Sequence, residues 1–487
     1  MTHRSYRPGA AAAVLVTAIA LLCTSGPVLS TASATPHVAP RTTLKPGKWT
    51  PLGLTTQAGT PAVWQSPSRT TYILWKRLLS GNDSTYEIAG VSAKGKVSAP
   101  ADVFKSAHWA SLSGAPTLVA AGSHPLVVFN GTKGTSGMYH AGCVYGALDD
   151  ASPWTPQPWV LSGDCANPVG PGAEDKNGVL AAAWPGGWST GHGVEYRIGT
   201  TSYPAGTDSR IGVPLGVGVG KVGIAADTAG NDHFWVGWTE TDNAKSSKNG
   251  YYVKDVTAGS ASRKMPGTGT LSVSPHLGVF ANLAMTNRGA HGGVYVAACT
   301  NTNTCTLKLW RVGARKAVTV PHSKDAADVG ISPGPGGRIW VSWYGFDNKV
   351  RVTRSNAAVT HFGRVRTFRT PCFENGDLGL SGGSSPRLVV AMQCVNKKTK
   401  IAEYVTETTA ALSLKASAKT VKKGKKVTFT VSDAGDPVSG AKVTFEGHSG
   451  KTNSHGKVTL KAVTTGKAKA KATDHGYAAA TVTIKVT

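Results

Sequence analysis

Acidic residues are scarce in this chain: 26 Asp and Glu stand against 52 Lys and Arg, for a formal net charge of +26. That imbalance argues for anionic partners such as cell-wall polymers, acidic polysaccharide or lipid headgroups, and it also serves solubility. Beyond residue 22 no stretch approaches the roughly 20 apolar residues of a spanning helix, which excludes integral membrane insertion by helices. No segment sustains a helical period, so bundles and doubly wound α/β folds are excluded. There is no CxxC, and no histidines sit at ligand spacing beside the cysteines, so a zinc site has no signature. No nucleophile elbow, in which a strand turns sharply into a helix, and no glycine-rich phosphate loop opening a helix occurs, which removes the usual marks of serine hydrolases and nucleotide-binding enzymes.

What is present begins with an export signal over residues 1–34. Arg4 and Arg7 precede an apolar run at 10–22, and Thr31, Ala32, Ser33 and Ala34 form a small-residue cleavage site. Residues 35–47 read as a linker. An exported protein without a nucleic-acid motif is not expected to bind nucleic acid. Six cysteines follow the signal, in close pairs: Cys143 with Cys165, Cys299 with Cys305, and Cys372 with Cys394. An even number in an oxidising compartment reads as disulfides.

A short apolar strand ending in a large residue recurs at 72–75, 126–129, 179–184, 233–238, 294–299, 339–343 and 388–392, at intervals of roughly 45 to 60 residues. Each copy follows an apolar strand and a Gly/Pro/Asn/Ser turn, and precedes a polar loop and two further strands. VGISP, GPGG, RIWVSW, YGFDN and KVRVTRSN show the order within 329–356. Seven units of four antiparallel strands predict an all-β fold, a seven-bladed β-propeller over 48–408. Blade seven shows only three strands, at 377–382, 386–393 and 401–407. The segment from Lys48 to Leu54 (KWTPLGL) is expected to supply the fourth and close the ring, removing an exposed edge.

Residues 411–487 change character, with fourteen lysines, no arginine, four acidic residues and neither cysteine nor tryptophan. Alternating strands at 427–431, 441–446, 457–462, 468–472 and 480–486 predict a small β-sandwich. The segments PVSGAKVTF, KTNSHGKVTL and ATVTIKV resemble bacterial immunoglobulin-like domains, which implies a spacer or adhesive module.

In a propeller, the loops between strands two and three share a face with the joints between blades. All six cysteines map to that face, where three disulfides stiffen the loops. Trp109, Trp188, Phe346, Asp347 and Phe373 break the repeat there and are the candidate ligand-binding residues. Glu240, Asp242, Glu374 and Asp377 are the candidate carboxylates. Aromatic rings and carboxylates together suit a sugar, and the acidic mouth also suits a calcium ion; no other cofactor is expected. The recurring Trp75, Phe129, Trp184, Trp238 and Trp343 occupy equivalent blade positions and are expected in the core between sheets.

The blade grammar of VGISPGPGGRIWVSW resembles the sialidase-like propellers of secreted bacterial proteins. The resemblance implies the fold. The Ser-x-Asp-x-Gly-x-x-Trp turn motif of that family is absent from every blade, and its arginine cluster and tyrosine nucleophile have no counterpart that can be located. Two functions are expected in order: a secreted protein that binds a glycan or another protein, held non-covalently to the envelope through the basic sandwich, or a glycoside hydrolase or lyase working on the same face.

Overall fold

A computed structural model describes residues 42–55, 60–78, 84–103, 109–121, 124–133, 141–147, 157–159, 172–185, 193–200, 209–214, 217–227, 233–241, 245–268, 283–300, 305–383, 385–396 and 400–487. Its first architecture is a seven-bladed β-propeller. The first strands of successive blades are Ala62–Gln65, Trp109–Ala121, Gly172–Glu174, Gly218–Asp227, Leu283–Asn287, Ala326–Pro333 and Cys372–Ser381. Each packs against the next, and Cys372–Ser381 returns to Ala62–Gln65, so these strands are innermost and the ring is closed. The recurrent apolar segments form the second strands: Thr71–Leu78, His124–Lys133, Val179–Pro185, His233–Thr241, Val294–Cys299, Ile339–Gly345 and Arg387–Asn396. Five blades are separate sheets, whereas the single pair Ser84 and Trp109 joins blades one and two.

Side chains alternate sides along each strand, so every blade feeds two inter-blade cores. Ile339, Val341 and Trp343 of blade six pack against Tyr295, Leu307 and Leu309 of blade five. Trp340 and Tyr344 face the other way, onto Leu388, Val390 and Met392 of blade seven. Val389 and Ala391 then face Ile73 and Trp75 of blade one. Trp75, Trp184, Trp238 and Trp343 are all buried, because each fills the gap between diverging sheets; the Phe129 side chain lies outside the described residues.

At the closure, Thr50–Thr55 pairs antiparallel with Ile401–Ala411, the third strand of blade seven, with Thr50 opposite Val405. The same blade needs glycine at 379, where a Cβ would stand 2.3 Å from the Pro61 carbonyl oxygen of blade one.

Residues 413–486 form two facing sheets. One contains Ser413–Ala416, Lys426–Asp433, Asp436–Pro437 and Lys457–Lys461; the other contains Thr420–Val421, Ala480–Val486, Gly466–Thr473, Lys442–Phe445 and His448–Lys451. His448–Lys451 falls in a stretch that reads as turn from the sequence; it pairs with Lys442–Phe445 around Gly447, whose φ is 79°. Phe429 and Phe445 meet in the core at 5.2 Å between ring centroids.

The sandwich is docked on blades six and seven. Ala410 and Ala411 at the end of Ile401–Ala411 pair in parallel with Tyr477 and Ala478, and Leu412 is already in the sandwich core. Arg354 donates to Asp433 at 2.5 Å, with side-chain exposures of 2% and 1%. Its guanidinium lies 4.8 Å from the Trp340 ring centroid and 5.4 Å from that of Tyr477. Arg338 pairs with Asp433 at 3.2 Å and with Asp436 at 2.6 Å. Burying such charges is expensive, and the two rings and the second arginine offset that cost.

Candidate functional site

Innermost strands start, and second strands end, on the face that also carries the blade-to-blade joints. Four innermost strands break register there. Blade two shifts between Trp109 and Ser111 and again between Ser113 and Thr117. Blade four shifts between Val219 and Val222, blade six between Ala326 and Asp328, and blade seven between Cys372 and Glu374 and between Glu374 and Gly376. Among the described residues, the innermost strands of blades one, three and five pair regularly. A bulge bends its strand, leaves a residue unpaired and re-aims side chains, so one end of the propeller is irregular by construction.

Two disulfides staple the same face. Cys299 ends the second strand of blade five and bonds Cys305 across the following loop. Cys372 opens the innermost strand of blade seven and bonds Cys394 near the end of the second. The expected pair of Cys143 and Cys165 lies outside the described residues; only the backbone of Cys143 is described, within Ala141–Ala147.

The bulges also organise buried polar groups. Lys221, inside the blade-four bulge, reaches Asp328 of blade six at 3.5 Å. The other oxygen of Asp328 accepts the Leu378 amide of blade seven at 2.8 Å. One 4%-exposed carboxylate thus ties together three blades. From the sequence the first strand of blade six starts at 329, just after Asp328; the structure has Asp328 inside Ala326–Pro333, because the bulge lets the strand begin earlier.

Phe373 and Glu374 need the same correction. From the sequence the blade-seven strand starts at 377, but it begins at Cys372, so Phe373 and Glu374 lie within it together with Asp377, with Glu374 opposite Val395 and Asp377 opposite Gln393. Their side chains, like that of Trp109, are outside the described residues. Trp109 is the first residue of the blade-two innermost strand. Asp242 and Trp188 fall outside the described residues.

Glu240 is the penultimate residue of the second strand of blade four, opposite Val219 at the edge of the bulge. It is 8% exposed and accepts the Trp238 indole N–H at 2.9 Å. Trp238 stacks on Tyr252 at 5.8 Å, and the Lys264 ammonium lies 5.9 Å from the Tyr252 ring centroid. Burial, with the Glu240 charge beside it, raises the Tyr252 pKa. A tryptophan held by a glutamate recurs in blade three, where Trp184 donates to Glu195 at 2.8 Å, and Trp75 stands opposite Glu87 in blade one. In blades one and three the device is legible in the sequence as a tryptophan followed one hairpin later by a glutamate, whereas in blade four the glutamate stands two residues on along the same strand.

Phe346 and Asp347 occupy the turn between Ile339–Gly345 and Lys349–Arg354. Phe346 is 53% exposed, one of two large apolar side chains so exposed among the described residues. Asp347 is clamped by Arg351 at 2.6 Å and Lys349 at 2.7 Å. The Arg351 hydrogen bond, with Lys349, holds its carboxyl far below the usual range. A carboxyl so held stays ionised and has no proton to donate. The arrangement presents an apolar ring beside a fixed, charged turn. Among the described residues no group of three or more His, Cys, Asp or Glu could hold a metal ion.

No protein-family profile and no curated protein matches the chain. Solved structures align over most of its length at low identity. A protein of unknown function from Dyadobacter fermentans has a TM-score of 0.44 at 12% identity, covering 75% of this chain and 99% of its own. The polysaccharide lyase Uly1 gives 0.44 at 11%, covering 73% and 91%. The α-L-arabinanase of Penicillium chrysogenum, solved with arabinobiose, gives 0.38 at 12%, covering 73% and 98%.

Proposed function

We propose that this is a secreted glycan-binding protein whose ligand seats on the bulged, disulfide-stapled face of the propeller. The observation that carries the reading is the gathering of register breaks from four innermost strands on one face. Regular pairing is the favourable default, and bulges concentrate beside sites because they re-aim side chains. The two disulfides there favour an oxidising compartment and pre-organise the loops. Phe346 supplies a ring for the apolar face of a sugar, with Trp109, Trp188 and Phe373 as further candidates. The sialidase-like blade grammar supports an extracellular propeller, and the sandwich is read as an immunoglobulin-like module that contacts the envelope.

The second reading is a glycoside hydrolase or lyase. It is favoured by the position of Glu240, Glu374 and Asp377 on strands that are bulged, or border a bulge, at that face. Against it, Glu240 already holds an indole, as Glu195 does away from any bulge. A glycan array run beside a hydrolysis screen on the full chain separates the readings. Saturable binding without turnover, weakened by Phe346→Ala, is the expected result. Turnover abolished by Glu374→Gln or Asp377→Asn establishes the enzyme instead.

A further inference from the structure

The four acidic residues of the sandwich are all engaged. Asp433 and Asp436 hold Arg338 and Arg354 of the propeller, Glu446 accepts the Val463 and Thr464 amides, and Asp474 accepts the His475 amide. Among the described residues, none of the fourteen lysines of the sandwich takes part in an ion pair.

The outer face of the five-stranded sheet concentrates these charges in a row. Lys467, Lys469 and Lys471 alternate along Gly466–Thr473, all exposed, while Ala470 and Ala472 point into the core. Lys485 stands opposite Lys467, and Lys451 opposite Lys442, with both pairs exposed. Thr444, Thr481 and Thr483 line the intervals, and no strand of the sheet carries an acidic residue. Like charges directly opposite one another destabilise a sheet, and an anion lying between them reverses the sign. The facing sheet carries one such pair, Lys426 opposite Lys461.

Spacing and chemistry narrow the partner. Alternate residues of a strand are six backbone bonds apart, about 6.6 Å. A phosphodiester polymer built on a three-carbon polyol also repeats every six bonds, which at backbone-like extension is about 7 Å. An ammonium is a compact point charge with no preferred plane and suits a singly charged phosphodiester, whereas planar carboxylates favour the arginine fork that this domain lacks.

We propose that this face binds a linear polyanion whose phosphodiester charges are separated by a three-carbon polyol. The proposal rests on the reading of the sandwich as the envelope-contacting module. The test uses the full chain against immobilised poly(glycerol phosphate), with polygalacturonate and phosphatidylglycerol vesicles as comparators. Two variants are compared with the native chain: Lys467→Thr/Lys469→Thr/Lys471→Thr, and Lys426→Thr/Lys457→Thr/Lys461→Thr on the other sheet. All six positions are exposed, and matching unfolding curves check that the fold is kept. The first variant is expected to bind poly(glycerol phosphate) about 100-fold more weakly at low salt, the second less than about fivefold. The slope of log affinity against log salt should fall by about 2 in the first variant only. Equal losses in both variants overturn the assignment to this face. Polygalacturonate or vesicles bound as tightly as poly(glycerol phosphate) overturn the phosphodiester partner while leaving the envelope reading standing. Failure to bind all three overturns both.

Discussion

The propeller and the sandwich are both all-β, yet they are built from different materials. The propeller uses tryptophan, cysteine and arginine; the sandwich uses alanine, valine, threonine and lysine, with Phe429 and Phe445 as its large core residues. Geometry accounts for the first difference. Sheets set around an axis diverge outward and need bulky fillers such as Trp75, Trp238 and Trp343, whereas two sheets face to face leave a gap of about 10 Å that small apolar residues fill. Where the two meet, every cation is an arginine of the propeller and every anion an aspartate of the sandwich. A guanidinium is weakly hydrated, stacks on rings and offers five donors, so it tolerates burial between Trp340 and Tyr477; a lysine ammonium does not. The sandwich therefore keeps its lysines for solvent.

The largest effect is expected in the inter-blade core. Trp343→Ala should cost about 3 to 5 kcal/mol in denaturant unfolding, while Phe346→Ala, three residues away on the rim, should change stability by less than about 0.5 kcal/mol and act on ligand binding alone. If the two variants unfold alike, the separation of filler from rim fails.

At the junction, Arg354→Ala leaves Asp433 buried with Arg338 and the Tyr477 hydroxyl as its remaining partners. The expected cost is about 3 kcal/mol, with one cooperative transition splitting into separate melts of propeller and sandwich in calorimetry. A single unchanged melt means that the two architectures are coupled by something other than this ion pair.

Disulfide removal should be confined to the propeller. By loop closure, the six-residue separation of Cys299 and Cys305 is worth about 2 kcal/mol and the 22-residue separation of Cys372 and Cys394 about 3. Reductant should lower the propeller melt of the Arg354→Ala chain and leave its sandwich melt in place.

The smallest effects concern pH. Burial raises the Glu87 pKa in the folded propeller, against the opposing pull of Arg77. The folded state then binds that proton more tightly, so the stability it contributes is present below the unfolded value near 4.3 and is lost as pH rises through the folded pKa. Glu87→Gln should flatten the stability profile in that window. Asp347 acts with the opposite sign: its lowered pKa contributes stability above about pH 3.9 that is lost as pH falls further. Measured unfolding midpoints from pH 3 to 7 that slope the same way in both Glu87→Gln and Asp347→Asn chains contradict these assignments.

Much of the scaffold was legible because its signal is local. Ile339, Trp340, Val341, Ser342, Trp343 and Tyr344 make a nearly continuous apolar run, and a short run of that kind bounded by turn residues marks a strand buried on both faces. Phe346 was legible because it interrupts that pattern. Asp328, Phe373 and Glu374 were misread as joint residues because a bulge is a disagreement between two strands, and neither strand alone records it. Arg354 and Asp433 lie 79 residues apart, with no shared pattern to link them.

The sequence by itself determined the strands, their sevenfold recurrence, the bulky inter-sheet positions and the charge of the last domain, since all follow from side-chain alternation, turn chemistry and composition. Tertiary structure alone decided which innermost strands bulge, that the bulges share the face carrying the two disulfides, and that the sandwich is clamped by buried arginines. Those features depend on pairing between distant segments, whose register and burial are set only when the ring closes and the sheets pack.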